Sequence, residues 1–319
     1  MKTAGIDSDI RKVVASILDE GKADLVIGYA AGSLPFRTTP HFARTPEEAQ
    51  KLVWNPLCEN NLARYLTKFK GARVGIVAKG CDVRSIIGLL QERQIKRDDL
   101  HIIGVPCVGV VDRKKVERVV ADNDITEIEF DDGALVVKTV DFEKKFPLEE
   151  VVHDTCLECA TRNPLVYDTL LGDKVSELEN IDEFAEVRKF MAMSVDERWE
   201  YFRREMQKCI LCYACREACP LCFCNECFID CTNPKWSGKS DKESDVQFFQ
   251  IIRMFHLAGR CVGCGACSRA CPMDVKLWRY LNKSRLDAKE LFGYRAGIDE
   301  NSSPPLTAYK EDDPNDFIK

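Results

Sequence analysis

The sequence predicts an α/β N-terminal domain with a mainly parallel sheet, followed by a small α+β domain built around cysteines. Strand–turn–helix units follow one another between residues 73 and 120, which is typical of a parallel sheet. Twelve of the 17 cysteines fall between Cys209 and Cys271. With 319 residues, 45% of them hydrophobic, the chain is long enough for two or three domains with a sizeable core.

The N-terminal elements follow from periodicity and capping residues. A first helix is predicted to present Ile10, Val13, Val14, Ile17 and Leu18 on one face and to stop at Gly21. A capping box at Thr45 opens a second helix, which Asn55-Pro56 ends. Asp82 and Asp112 are predicted to cap later helices, and residues 57–69 to form another helix. Strands are predicted at 23–30, 73–78 and 101–105, with a hairpin over 125–139 that turns at Asp131-Asp132-Gly133.

Two cysteines follow predicted strands at the edge of the sheet where functional groups gather, Cys81 and Cys107. A C-x2-C pair, Cys156 and Cys159, lies further along the chain. These four thiols are candidate ligands of one metal cluster; the alternative is four buried, inert cysteines. His153, three residues before the pair, either tunes or ligates that cluster or simply packs.

A second capping box at Ser194 opens a helix that leads to Cys209, with Val195, Trp199, Phe202 and Met206 predicted on its inner face. Two runs then share the spacing C-x2-C-x2-C-x3-C-P. This spacing is typical of bacterial ferredoxins, in which three thiolates hold one [4Fe-4S] cluster and the fourth crosses to the other. Structural zinc usually takes two separated C-x2-C pairs instead. The predicted ligands are Cys209, Cys212, Cys215 and Cys271 for cluster one, and Cys261, Cys264, Cys267 and Cys219 for cluster two.

Two further features lie in this cysteine-rich region. A helix over 246–257 is predicted to turn Phe248, Ile251, Ile252 and Phe255 inward. Four surplus cysteines are close enough in sequence to hold a fourth cluster or a zinc ion. They are Cys222, Cys224, Cys227 and Cys231. Cys58 either replaces one of these ligands or is packed in a core.

Composition excludes several classes of protein. The formal net charge is −6 and no basic face stands out, so a nucleic-acid partner is not expected. The longest apolar stretch, 102–111, is too short to span a bilayer, and Met1 to Gly5 open no secretory leader. We therefore expect a cytoplasmic protein with reduced thiols and no membrane insertion. Because exposed clusters are oxygen-sensitive, anaerobic metabolism is the expected setting.

Three phrases of the N-terminal part resemble the beta subunit family of deazaflavin-reducing hydrogenases and formate dehydrogenases. They are Val77-Ala78-Lys79-Gly80-Cys81, Ile103-Gly104-Val105-Pro106-Cys107 and Cys156-Leu157-Glu158-Cys159. The resemblance covers roughly residues 10–172. It implies that Cys81, Cys107, Cys156 and Cys159 ligate one [4Fe-4S] cluster beside an FAD.

The sequence departs from that family in two places. Asp7-Ser8-Asp9-Ile10 stands where members usually carry Gly-Gly, and Asn163-Pro164-Leu165 runs quickly to Gly172 where members carry a longer segment near the flavin. The chain also lacks a G-x-G-x-x-G phosphate loop. We therefore expect a domain that keeps the cluster and lacks FAD.

The expected function is electron transfer between redox subunits of a larger complex, with three [4Fe-4S] clusters and no catalytic residue in this chain. The resemblance implies a formate dehydrogenase, hydrogenase or heterodisulfide-reductase type of complex. One alternative is an FAD-containing subunit that takes a hydride from a deazaflavin or nicotinamide and splits it into single electrons. Another is a zinc-bearing scaffold. The expected segments are a domain at 1–172, a connector at 173–208, the ferredoxin-like domain at 209–285 and a polar tail at 286–319.

Overall fold

The computed structural model describes residues 5–121, 123–131, 133–179, 181–308 and 311. It divides into unit 1 (residues 1–83 and 95–181) and unit 2 (residues 84–94 and 182–319). Asp132 of the predicted hairpin turn and residues 309, 310 and 312–319 of the predicted tail lie outside the described residues.

The strands are β1 (Leu25–Ala31), β2 (Thr38–Ala43), β3 (Val74–Ala78), β4 (Leu100–Gly104), β5 (Ile125–Asp131), β6 (Ala134–Thr139), β7 (Glu143–Pro147) and β8 (Thr169–Leu170). The α-helices are α1 (Ile6–Asp19), α2 (Pro46–Ala49), α3 (Gly80–Gln91), α4 (Arg113–Val120), α5 (Leu148–Val151), α6 (Asp154–Leu157), α7 (Ala185–Met191), α8 (Val195–Gln207), α9 (Ala214–Glu217), α10 (Glu243–His256), α11 (Ala266–Arg269) and α12 (Leu277–Phe292). Short 3-10 helices span Leu62–Lys68, Arg97–Asp99 and Pro305–Thr307.

Unit 1 contains a five-stranded sheet in the order β2-β1-β3-β4-β8. The pairs β1–β3, β3–β4 and β4–β8 are parallel, and β2 runs antiparallel to β1. All five residues of β3 are buried, as expected for a parallel strand covered on both faces. The predicted mainly parallel sheet is therefore confirmed, and its carboxyl edge carries Cys81 and Cys107 just beyond β3 and β4.

A second sheet of unit 1 has the order β5-β6-β7 and is antiparallel throughout. The predicted hairpin forms its first two strands, and β7 is an addition that the sequence did not predict. Its apolar face packs Leu135, Val137 and Phe146 against Val116 and Val120 of α4. Asp112 caps α4 as predicted, accepting a hydrogen bond from the backbone N–H of Lys114 at 3.0 Å.

Three local predictions in unit 1 are wrong. The helix that Thr45 caps ends at Ala49 and not at Asn55-Pro56. The helix predicted over 57–69 is a 3-10 helix from Leu62 to Lys68. Asp82 does not precede α3 but lies in its first turn, where Oδ2 accepts the backbone N–H of Lys79 at 3.1 Å. Asp82 therefore accepts a hydrogen bond from the residue before the helix, whereas an N-cap side chain accepts one from a residue inside the helix.

The described part of unit 2 contains helices and loops without a strand, where the sequence predicted an α+β domain. The capping box at Ser194 is present. On α8, Phe202 and Met206 are buried as predicted, whereas Val195 and Trp199 are 69% and 52% exposed.

Two further differences concern α10 and α12. The buried residues of α10 include Phe249, Gln250 and Arg253, and not the predicted face that ends at Phe255, which is 67% exposed. The predicted tail from residue 286 begins inside α12, where Leu286 is buried. Among the described residues, no helix is long and apolar enough to cross a membrane.

Candidate metal centres

All 17 cysteines are free thiols, which is the state that metal ligation requires. The two ferredoxin-type runs share one local architecture. A long helix, α8 or α10, ends just before the first cysteine, Cys209 or Cys261. A loop then leads to a one-turn helix, α9 or α11, that carries the third cysteine.

The loops between the first and third cysteines repeat an unusual backbone. Leu211 and Tyr213 have φ values of 50° and 59°, and Gly263 and Gly265 in the second run have 73° and 71°. Glycine adopts this left-handed region freely, but other residues do so uncommonly. Leu211 and Tyr213 therefore hold a strained conformation that matches the one glycine gives the second run. Such strain persists where the surroundings require it, and here it bends the loop around the cysteines.

Thiols of the two runs approach one another in the crossed pattern. Cys215 interacts electrostatically with Cys267 and Cys271 of the second run and with Cys209 of its own run. Burial, followed by such neighbours, raises the pKa of Cys215 to about 11. Cys271, the predicted fourth ligand of cluster one, thus interacts with Cys215, and so does Cys267 of the other predicted set. Cys212 lies in the same loop and is exposed.

The second group is assembled in the same way. Cys267 interacts with Cys219 of the first run and with Cys261 and Cys264 of its own run. Burial is the main cause that raises the pKa of Cys267 to about 12 and that of Cys261 to about 11. Held in such sites without a metal, these thiols stay protonated at neutral pH, so ligation must release protons.

Hydrogen-bond donors point at sulfur in both groups. The backbone N–H of Gly263 donates to Cys261 Sγ at 3.4 Å, and that of Val275 donates to Cys271 Sγ at 3.4 Å. The Nε2 atom of Gln250 donates to Cys209 Sγ at 3.5 Å. Hydrogen bonds to the sulfurs are one means by which a protein sets the reduction potential of an iron–sulfur cluster.

Unit 1 contains the third set of predicted ligands, and three of them interact with one another. Cys81 lies in the first turn of α3, Cys107 follows β4, and Cys156 lies in α6, just before Cys159. Cys107 interacts electrostatically with Cys156 and Cys159, and Lys79 interacts with Cys81 and Cys107. Burial, together with the neighbouring Cys156, raises the pKa of Cys107 to about 12.

Glycines permit the close approach that this third set needs. A Cβ atom on Gly80 would lie 2.4 Å from the carbonyl oxygen of Thr161, just beyond the C-x2-C pair. Gly109 has φ 127° and donates its backbone N–H to Cys107 Sγ at 3.4 Å. A side chain at Gly80 would therefore push the C-x2-C loop away from Cys81.

Lys79 is a buried cation beside these cysteines, with 1% of its surface exposed. Its Nζ donates to Tyr29 Oη at 2.7 Å, to the carbonyl oxygen of Asn60 at 2.7 Å and to Asp82 Oδ2 at 2.9 Å. Asp82 balances its charge within the site. Lys79 also lines a small pocket with Trp54, Cys58 and Cys107. The sequence pattern did not indicate this network, although Lys79 and Asp82 flank Cys81.

His153 faces Asp112, and its ring Nδ1 lies 3.4 Å from Asp112 Oδ2. Its carbonyl oxygen accepts the backbone N–H of Cys156 at 2.8 Å. Burial works to raise the pKa of Asp112, but the contact with His153 and a backbone hydrogen bond lower it to about 2. His153 is thus joined to the C-x2-C pair through its backbone, while its ring contacts a carboxylate.

The four surplus cysteines do not share one environment. Cys222 contacts Cys219, a predicted ligand of cluster two. Cys231 Sγ donates to the carbonyl oxygen of Cys227 at 3.6 Å, and Cys224 is exposed. Cys58 is 2% exposed and accepts the backbone N–H of Asn55 at 3.5 Å. Within the described residues, no three His, Cys, Asp or Glu side chains form a site for a single metal ion.

The donor chemistry of the three sets fits [4Fe-4S] clusters, which four cysteine thiolates hold, one at each iron. Reduced thiols are present, residues from distant parts of the chain converge, and N–H groups point at sulfur. Gln250, on a helix between the two runs, contributes to this surrounding. The feature of the sequence that could have indicated this role is a polar residue in a helix that is rich in apolar residues.

Comparison with known families agrees with this arrangement. Residues 71–228 match the family described as the C terminus of the beta subunit of coenzyme F420 hydrogenase/dehydrogenase. Residues 205–275 match the 4Fe-4S dicluster domain. The residues that match the beta subunit family make up about half of the chain. The segment that matches this family begins later than the predicted residue 10 and continues past 172 into the first cysteine run.

Two curated relatives match nearly the whole chain. The chain is 25% identical to the F420-dependent formate dehydrogenase subunit beta of Methanocaldococcus jannaschii, over 91% of each sequence. It is also 25% identical to the F420-dependent formate dehydrogenase 1 subunit beta of Methanococcus maripaludis, over 91% of this chain and 90% of the relative. Among solved structures, a chain of the F420-reducing [NiFe] hydrogenase complex from Methanosarcina barkeri matches with 19% identity and a TM-score of 0.37, covering 49% of this chain and 58% of that one.

Proposed function

We propose that this chain is an iron–sulfur electron-transfer subunit that relays single electrons between the redox subunits of an oxidoreductase complex. The crossed pairing of the two cysteine runs carries the proposal. Its support is that Cys215 of the first run interacts with Cys271, and Cys267 of the second run with Cys219. Two adjacent four-thiol sets of this kind suit a pair of [4Fe-4S] clusters that exchange electrons.

The clusters supply the one-electron chemistry when bound. This chain's own residues hold them and adjust their potentials through burial, charge and hydrogen bonds to sulfur. Gly263, Val275 and Gln250 donate such bonds in the ferredoxin-like pair, and Gly109 donates one beside Cys107. The sequence offers no nucleophile–base motif, so no bond making on a substrate is assigned to this chain.

We propose a third [4Fe-4S] cluster at Cys81, Cys107, Cys156 and Cys159, and redox partner subunits of the formate dehydrogenase, hydrogenase or heterodisulfide-reductase type. The relatives that match over 91% of the chain are beta subunits of F420-dependent formate dehydrogenases, which supports the first of these. Because a protein with 17 free thiols suits a reducing compartment, we also propose a cytoplasmic location.

The alternative is a flavin-bearing subunit that takes a hydride and passes its two electrons singly to the clusters. One observation favours it: a pocket lined by Trp54, Lys79 and Cys107 lies beside the third set of ligands. The two departures near Asp7 and Asn163 favour a subunit without FAD. In this structure Asp7 lies within α1 and accepts the backbone N–H of Trp54 at 2.7 Å.

Reductive titration of anaerobically purified protein tests the proposal. We expect uptake of about three electrons per chain, one for each [4Fe-4S] cluster. Acid extraction is expected to release no flavin. One FAD per chain, with two further electrons taken up, would establish the alternative. Zinc in place of iron would establish a scaffold and remove the electron-transfer role.

A further inference from the structure

Arg253 on α10 is a buried cation among the cysteines of unit 2, with 3% of its surface exposed. Its Nη2 donates to the carbonyl oxygen of Cys215 at 3.1 Å. Its strongest electrostatic partners are thiol groups: Cys222, Cys215, Cys267 and Cys219. Its Nε atom is buried and has no hydrogen-bond partner among the described residues.

Two other cations with little exposure, Lys79 and Arg285, pair with carboxylates. Lys79 lies 2.9 Å from Asp82, and Arg285 lies 2.8 Å from Glu183. Arg253 makes no ion pair of this kind among the described residues. Leaving a charge buried and unpaired costs several kcal/mol. A guanidinium cannot escape this penalty by losing its proton, because it remains charged at all ordinary pH values. An anionic group must therefore balance it.

Three of the four cysteines around Arg253 come from the two predicted ligand sets, and the fourth, Cys222, is a surplus cysteine. Cys215 belongs to cluster one, and Cys267 and Cys219 belong to cluster two. A cluster held by four thiolates is anionic and gains one more negative charge when it is reduced. A nearby cation stabilises the reduced form more than the oxidised form, which raises the reduction potential.

We propose that Arg253 is the shared counter-charge of the ferredoxin-like pair and raises the potentials of both clusters together. This inference rests on the proposed function. It differs from the role of Gln250, whose Nε2 reaches Cys209 of cluster one. A shared cation shifts both potentials in the same direction, so it changes the driving force for transfer between the two clusters less than a cation beside one of them would.

The test is a redox titration of the full-length, cluster-loaded chain, followed by electron paramagnetic resonance. Arg253→Gln removes the charge but keeps a donor for the Cys215 carbonyl. Arg253→Lys keeps the charge. Arg203→Met is the control, since Arg203 is a partly exposed cation on α8 that pairs with Glu243 at 3.0 Å.

We expect Arg253→Gln to lower both midpoint potentials, each by about tenfold in the equilibrium constant for reduction, or about 59 mV for one electron. Arg253→Lys and Arg203→Met should leave both potentials near their original values. If Arg253→Gln fails to load clusters while Arg253→Lys loads them, the requirement for charge is shown directly. Loss of clusters in both variants assigns Arg253 a structural role and overturns the proposal.

Full iron content with unchanged potentials in Arg253→Gln, or a shift of only one cluster, also overturns it. Cys222 also interacts with Arg253. The Arg253→Gln shift should nevertheless persist when Cys222 is replaced by Ser, because the proposal assigns the shift to the charge acting on the two clusters. Disappearance of the shift in that background would contradict the proposal. If the original protein holds no iron, the proposed function fails instead, and the two failures are distinguishable.

Discussion

The side chain of Gln250 reaches the sulfur of Cys209, with Nε2 and Sγ 3.5 Å apart. Gln250 is 3% exposed and lies on α10, whose sequence otherwise reads as a helix with an apolar inner face. The helix α10 buries the amide of Gln250 and the guanidinium of Arg253 beside cysteines. These groups can stabilise negative charge at sulfur, in addition to packing in the core.

Replacing Gln250 by Leu should lower the midpoint potential of cluster one. The lost hydrogen bond stabilises the reduced cluster more than the oxidised one, and its loss should correspond to about 0.5–1.5 kcal/mol. Gln247→Leu is the matched control, because its Nε2 donates to Glu243 at 2.8 Å and not to a cysteine. Equal shifts of both clusters in Gln250→Leu, or a similar shift in the control, would contradict the assignment of Gln250 to cluster one.

Cys107 and Cys58 line the same pocket, and burial raises the pKa of each to about 12. We predict different roles for them. Cys107→Ser should remove about four irons per chain, since it breaks the third cluster, and should leave the resonances of the pair intact. Cys58→Ser should retain all the iron. Metal analysis of the two variants checks this. Loss of iron from Cys58→Ser but not from Cys107→Ser would show that Cys58 is the ligand and that Cys107 is not.

Cys219 and Cys222 form a similar pair in unit 2, because they contact each other. The spacing assigns Cys219 to cluster two. Cys219→Ser should therefore lose about four irons, whereas Cys222→Ser should keep the original iron content. If Cys222→Ser instead loses iron and Cys219→Ser does not, the crossing ligand is Cys222. If both lose iron, Cys222 belongs to a fourth cluster with Cys224, Cys227 and Cys231.

Asp112→Ala should lower the free energy of unfolding of the cluster-loaded chain by about 1–2 kcal/mol at pH 7, because Asp112 caps α4 and contacts His153. The pKa of Asp112 is lowered to about 2 from its ordinary 3.8. Its stabilising contribution is thus complete above pH 4 and is lost as the pH falls towards 2. Chemical unfolding of both proteins from pH 8 to pH 5 should give a difference that does not shrink, because Asp112 stays ionised and protonation of His153 would strengthen their contact. A difference that shrinks within that range would show that the carboxylate is not held in this state.

Much of unit 1 follows from its sequence for simple physical reasons. The five-residue apolar strand β3 can only be a buried parallel strand, and the two cysteines after β3 and β4 must then share one edge of the sheet. The end of the helix before Asn55 was harder to predict, because a helix followed by a proline can end at any of several residues before it. β7 carries Lys144 and Lys145 and few apolar residues, so its pairing with β6 depends on a partner that local sequence does not indicate.

The inner face of α10 is the most informative failure. The prediction from periodicity considered apolar residues and therefore placed Phe248, Ile251, Ile252 and Phe255 on the inner face. The helix instead buries Gln250 and Arg253, because sulfur ligands from two distant runs lie on that side. The shared spacing of the two cysteine runs could be recognised in the sequence, because the geometry of a cluster fixes such a spacing. The polar residues that surround the sulfurs were not, because their positions depend on tertiary packing.

Iron and acid-labile sulfide per chain, measured on anaerobically purified protein, test the central claim most directly. Three [4Fe-4S] clusters predict about twelve irons and about twelve sulfides, while about sixteen of each would add a fourth cluster at Cys222 to Cys231. Zinc without iron, or iron without acid-labile sulfide, would contradict an electron-transfer role for this chain.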